Sequence, residues 1–355
     1  MFHLLSLLTG VLEIGWIAFG VANSFPMWMT LCFPLSYQLG NLFPKPFSVS
    51  DRLLRATAFT ALLTSLLSGF GFGESVRFLM TCLSLFLLSA VIQSVRSGLK
   101  TDGNRLKKRI FRVIGFAVSP LAPFIPTAIL VFTSIVAIYS LRGHKSHYRV
   151  SPMSMQQGFS IVMLCHQLHF FIYVHSMFTV AALTLAKRFT SFGTFFGIFT
   201  AAVFLCGSWI TYMSVEPLAV KTKADVRKVF YFGHIFVCAI LLAMSIVGNT
   251  SGSFPILWLL TGFGGGAVYT VSELAKSAGA YDKDAMDAYE NLGHVIGLLI
   301  AVLISLSVGS AQAPTVMLRA GALAAFLAVV SMSIVLIVPG KLSKKVSIKS
   351  RGENQ

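Results

Sequence analysis

Apolar runs of the length that crosses a bilayer, about 20 residues, follow one another along nearly the whole chain. They lie near 2–22, 26–42, 56–73, 76–97, 110–122, 124–141, 157–185, 190–213, 229–248, 254–275, 288–309 and 314–339. A chain that is 55% hydrophobic and only 11% charged cannot cover its surface with polar groups in water, where about a quarter of residues are usually charged. The sequence therefore predicts an all-α integral membrane protein with twelve transmembrane helices. Residues 110–141 are long for one crossing and short for two, and Pro120, Pro123 and Pro126 mark a turn or a broken helix there.

The net charge of +16 does not point to nucleic acid, because the basic residues sit in short loops between apolar runs. With twelve spans and a cytoplasmic N-terminus, the inner segments 41–55, 96–112, 142–149, 217–228, 276–287 and 341–351 hold all but four of the 28 Lys and Arg. Arg77, Lys187 and Arg188 fall outside, and Arg319 alone is left within a span. A single crossing at 110–141 would reverse one half, so the positive-inside rule favours twelve spans with both termini cytoplasmic. The five cysteines lie in apolar segments and imply no disulfide framework. Residues 2–22 lack a basic leader and read as a retained helix. The expected organisation is a first six-helix half over 1–141, a cytoplasmic link over 142–156, a second half over 157–340 and a basic tail over 341–355. No loop has room for a soluble catalytic domain.

Two inner loops and two helix motifs carry a resemblance. "PLAVKTKADVRKVFYFG" (217–233) has Leu218, Ala219, Asp225, Arg227, Lys228 and Gly233 in the manner of the inner-loop motif of the major facilitator superfamily. "GNLFPKPFSVSDRLLR" (40–55) keeps Gly40, Asp51 and Arg52 of the same motif. "GFAVSP" (115–120) resembles the Gly-Pro motif of the family's antiporters, and "GHVIG" (293–297) keeps its small-residue spacing. The resemblance implies two pseudo-symmetric six-helix halves, alternating access, and a midplane substrate site lined by the first, fourth, seventh and tenth spans.

Ionisable groups inside a membrane need a partner, a water-filled cavity or neutralisation. Glu13 lies halfway along the first run, on one helical face with Ser6, Thr9, Trp16 and Gly20. It is the first candidate for proton coupling, although the basic residue that the family's antiporters carry in the fourth span is here Gln93. Glu290 and His294, four apart on one face, are the second candidates. Tyr269 and Glu273 share a face of the tenth span, where Lys276 offers Glu273 a local ion pair as the alternative. Glu216 is expected to organise the inner loop, and Arg319 to extend toward the outer surface. The glycine-rich "TGFGGGAVY" (261–269) is expected to serve helix packing.

"LCHQLHFFIYVHSM" (164–177) holds three histidines. His166 and His169 share a helical face that Tyr173 continues, whereas His175 faces away, so the three cannot form one metal triad on an unbroken helix. His166, His169 and Tyr173 are candidate substrate contacts, together with Trp16, Tyr269 and Glu273. Interhelical hydrogen bonding by neutral imidazoles is the alternative.

These features point to a secondary active transporter in the cell membrane. Its expected task is proton-coupled export of a small amphipathic organic solute, by a monomer with no catalytic residue, resident metal or cofactor. Its expected partners are the solute, protons and lipid, with no nucleic acid. A metal chelate or siderophore is the alternative cargo. An integral membrane enzyme or scaffold is the alternative class, disfavoured by the lack of a nucleophile elbow or an H-E-x-x-H motif.

Overall fold

Backbone groups in hydrocarbon must be satisfied within the chain, so helix is the local structure open to long apolar runs. The computed structural model describes residues 2–42, 50–71, 73–98, 105–142, 193–222, 226–248, 251–277 and 283–337. Among the described residues the protein is all helical. The helices are α1 (Phe2–Ala22), α2 (Met27–Leu42), α3 (Asp51–Leu67), α4 (Glu74–Gly98), α5 (Arg105–Val118), α6 (Pro126–Ser140), α7 (Gly193–Lys221), α8 (Val226–Val247), α9 (Phe254–Ser277) and α10 (Lys283–Ile337). α10 is two helices joined at Gly309, whose φ of 73° and ψ of 163° break the helical path. The expected run at 157–185 lies outside the described residues.

The ambiguous stretch 110–141 holds two helices. α5 gives way to a 3-10 turn over Ser119–Leu121 that contains Pro120, and α6 restarts at Pro126. Proline suits a helix start, where its missing N–H has no acceptor to lose. Ser50 caps α3 by accepting from the Leu53 N–H at 3.2 Å, and Asp51 places negative charge at the same helix end.

Among the described residues, five helical stretches are long and apolar enough to cross a bilayer. They differ in what surrounds them. In α1, 89% of the most apolar window is buried inside the protein, whereas in the α7 stretch the share is 28%. α1 is thus a central helix, and the more peripheral helices turn Phe59, Leu79, Phe132, Ile210, Phe232 and Leu323 outward. An apolar exterior this extensive is what lipid requires and water forbids, so the protein is a multi-pass membrane protein.

Two cores organise the bundle. One lies within α1–α6, where Leu12, Trp16, Phe33, Tyr37, Leu88 and Leu130 interdigitate. The other joins the two parts of the chain: Ile17, Ala18 and Val21 of α1 and Leu31 of α2 meet Ile198, Ala202 and Leu205 of α7 and Val302 of α10. Helix pairs α2–α10, α5–α7 and α1–α7 carry this seam.

Glycines set the closest approaches. A Cβ on Gly10 would collide with the Arg112 carbonyl oxygen, and one on Gly115 with that of Leu7. Further along, a Cβ on Gly15 would press on Ala122. Contacts that advance together in both helices make α1 and α5 parallel, as an even number of crossings from one to the next requires. The glycine run of α9 packs as expected. Gly262 and Gly266 face the Ser208 and Tyr212 carbonyls of α7, and Gly264 faces Val237 of α8.

Candidate functional site

The Gly10–Gly115 crossing places the side chain of Arg112 directly over Glu13. Arg112 stands seven residues into α5, about 10 Å along its axis at the usual helical rise, and Glu13 lies midway along α1. The guanidinium Nε donates to Glu13 Oε2 at 3.0 Å, and Nη2 donates to Oε1 in a second, shorter bond. This two-pronged geometry matches the planar guanidinium fork to the carboxylate. The Glu13 side chain is only 5% exposed and that of Arg112 28%. Two opposite charges thus satisfy one another where α1 crosses α5.

The network extends across the seam. Gln38 of α2 is fully buried and donates Nε2–H to Glu13 Oε1 at 3.3 Å. Its Oε1 accepts from Asn41 Nδ2 at 3.0 Å and lies 3.4 Å from His294 Nδ1 on α10. The amide of Gln38 can therefore link the carboxylate on one side to the imidazole on the other. On the opposite flank, the guanidinium carbon lies 5.2 Å from the Trp209 ring centroid and 5.9 Å from that of Phe116. Trp209 packs 4.9 Å from Tyr212, also on α7. The chain Arg112–Glu13–Gln38–His294 therefore joins α5, α1, α2 and α10, with α7 supplying aromatic walls.

Two candidates chosen from sequence, Glu13 and His294, are brought into this one network. Trp16 lies one turn beyond Glu13 and is fully buried in the first core, where its indole N–H has no acceptor among the described residues. His166, His169 and Tyr173, and the side chains of Tyr269, Glu273 and Glu290, lie outside the described residues. No group of three or more His, Cys, Asp or Glu able to hold a metal occurs among the described residues.

The charge count placed Arg112 with the inner loop 96–112 and left Arg319 as the one basic residue within a span. That assignment needs correction, because Arg112 is well inside α5 and pairs with Glu13. Counting by loop treats a basic residue near a helix end as solvated, although a long side chain can turn back along the helix to a buried partner. The local signal was the flanking of Arg112 by Ile110, Phe111, Val113 and Ile114, apolar on both sides. Gln38, Trp209 and Tyr212 carried no comparable mark.

No family model matches the sequence, and no curated protein matches it either. Solved structures do resemble it. The nucleoside transporter NupG aligns with a TM-score of 0.59 at 12% identity over 95% of this chain and 97% of that one. A bacterial homologue of the iron transporter ferroportin, in an inward-facing state, aligns with a TM-score of 0.60 at 14% identity over 94% and 97%. A bacterial metal transporter aligns with a TM-score of 0.54 at 14% identity over 93% and 97%. At these identities the likeness is one of fold: the chain shares the all-helical fold of these solved transporters.

Proposed function

We propose that this protein is a secondary transporter of the cell membrane that moves a small amphipathic organic solute by alternating access, coupled to protons and directed outward. The observation that carries this reading is the Arg112–Glu13–Gln38–His294 network at the seam between the two parts of the chain. Buried ion pairs add little to stability once their desolvation is counted, and ionisable groups at this depth in a membrane ordinarily mark a pathway for solute or proton. Glu13 is the proton-coupling carboxyl. Arg112 pairs with it in the arrangement seen, and a competing anion that draws the guanidinium away leaves the carboxyl to take a proton. His294, with Glu290 one turn before it, provides the second protonatable group.

The seam pattern supports a two-half machine. In a chain of two six-span halves (1–141 and 157–340, joined through 142–156), α2 and α10 carry the second and eleventh spans. α5 and α7 carry the fifth and eighth. Exchanging the halves turns one pair into the other, so the two contacts are the same contact made twice. The solute path runs between them, with Trp16, Tyr269, Glu273, His166, His169 and Tyr173 as its further lining. Excess Lys and Arg at 41–55, 96–109, 142–149 and the tail put both termini in the cytoplasm.

Proteoliposomes test the reading. Purified protein is reconstituted with an internal pH-sensitive dye and challenged with anionic, neutral and cationic aromatic solutes under an imposed pH gradient. Solute-dependent proton movement is expected, and Glu13→Gln should abolish it while inserting normally. A panel that yields no coupled flux, or a Glu13→Gln protein with unchanged coupling, sinks the proton-coupled reading.

A further inference from the structure

The two partners of the ion pair differ in exposure. Glu13 is enclosed, whereas more than a quarter of the Arg112 side chain remains accessible. A guanidinium carries five N–H donors, and Glu13 takes two of them, through Nε and one Nη. Among the described residues no second acceptor is bonded to Arg112. Rings stand beside the guanidinium. Phe116 and Trp209 stand 5.1 Å apart, Trp209 and Tyr212 4.9 Å apart, and the cation lies within 6 Å of the first two. A cationic fork beside a cluster of mutually tilted aromatic rings is complementary to a flat anion with a delocalised ring.

We propose that this flank of Arg112 is the solute site, and that its ligand is a planar aromatic carboxylate. The carboxylate takes the Arg112 fork in place of Glu13, the ring lies against Trp209 and Tyr212, and Glu13 accepts a proton as it is displaced. The proposal rests on the transporter reading and specifies its substrate class. One negative charge and one proton arrive together, so the net charge of the site is unchanged and no unpaired ion is left buried. A neutral ring would stack but leave the ion pair intact, and a cation would be repelled by the guanidinium.

Among the described residues, the other titratable groups around the pair are these. Tyr37 of α2 precedes Gln38 by one residue, and Tyr212 of α7 packs 4.9 Å from Trp209; both are phenols, neutral between about pH 6 and 8. His294 of α10 is linked to Glu13 through Gln38. Toward the start of α5, Arg109 precedes Arg112 by one turn and His3 of α1 stacks on Phe111. On α4, Arg77 lies over the Phe19 ring beyond the far end of the pair. Of these, His294 and His3 are histidines, the side chain whose charge ordinarily changes near neutral pH, so His294→Gln and His3→Gln together serve as the controls that isolate Glu13.

Equilibrium binding to the purified full-length protein tests this without any transport assay. Naphthoate, naphthamide and aminomethylnaphthalene are compared by calorimetry at about pH 6 and about pH 8. Wild-type protein should bind naphthoate at least about tenfold more tightly than naphthamide, from the worth of a charge-assisted hydrogen-bond pair, and should not bind the amine. Naphthoate affinity should rise at the lower pH, in His294→Gln and His3→Gln as well. Glu13→Gln should tighten naphthoate several-fold and remove the pH dependence. Trp209→Leu, which alters no charge, should weaken naphthoate more than it weakens acetate. Equal binding of acid and amide, preference for the amine, or no naphthoate binding overturns the proposal. Flux of some other solute in the same protein would leave the transporter reading standing, and naphthoate binding without any coupled flux would remove that reading instead.

Discussion

Removing Arg112 and removing Glu13 should not cost the same, although each breaks the same bond. Arg112→Gln leaves a carboxylate that is 5% exposed, with the Gln38 amide at 3.3 Å as its remaining described donor. Stranding a buried charge in this way costs about 3–5 kcal/mol. Glu13→Gln leaves the guanidinium, which keeps 28% exposure and the Trp209 ring. Partial hydration and the cation–π contact reduce that cost to about 1–2 kcal/mol. Changing both together removes both charges and permits an amide–amide hydrogen bond, at about 2–3 kcal/mol, which is less than the single Arg112 variant. The cycle should therefore be sub-additive by about 3 kcal/mol. Reversible unfolding in mixed micelles, followed by tryptophan fluorescence on all four proteins, measures each corner. If Arg112→Gln proves no more costly than Glu13→Gln, or if the two effects simply add, then the enclosed carboxylate is not the dependent partner and the argument from exposure fails.

Gly115→Leu should separate α1 from α5, because its side chain would meet the Leu7 carbonyl and the Gly10 backbone; a loss of about 3 kcal/mol or more and weakened naphthoate binding are expected in the same micelles, and wild-type values in both would show that the crossing is not tight. Alanine at His166 or His169 should lower solute binding with little change in melting temperature, whereas His175→Ala should chiefly lower melting, because the helical spacing turns it to the other side; equal losses of stability at all three would make them core residues.

The order of apolar runs, the positive loops and the helix-breaking prolines are local properties, and the sequence carries them in the open. Hydrocarbon leaves a spanning segment little choice of backbone, so a helix at each described run, the break between α5 and α6, and the packing role of the α9 glycines were legible without coordinates. Glu13 was legible for a related reason, since a carboxyl in the middle of an apolar helix is costly wherever that helix goes. Its partner was not. Arg112 is 99 residues away in the chain, close enough to a basic loop to be counted with it. Nothing in hydropathy says which neighbour α5 crosses or how it is rotated about its axis. Those are decided by side-chain and backbone fit at Gly10 and Gly115, by the parallel course of α1 and α5, and by the aromatic wall that α7 brings from the other part of the chain. The link from Glu13 through Gln38 to His294 likewise exists only because α2 and α10 lie side by side. Sequence alone determined that this chain lives in a membrane and that it carries charge there. Tertiary packing decided which charges meet, because contact between helices depends on their relative position and rotation, and neither is written in the composition of any one of them.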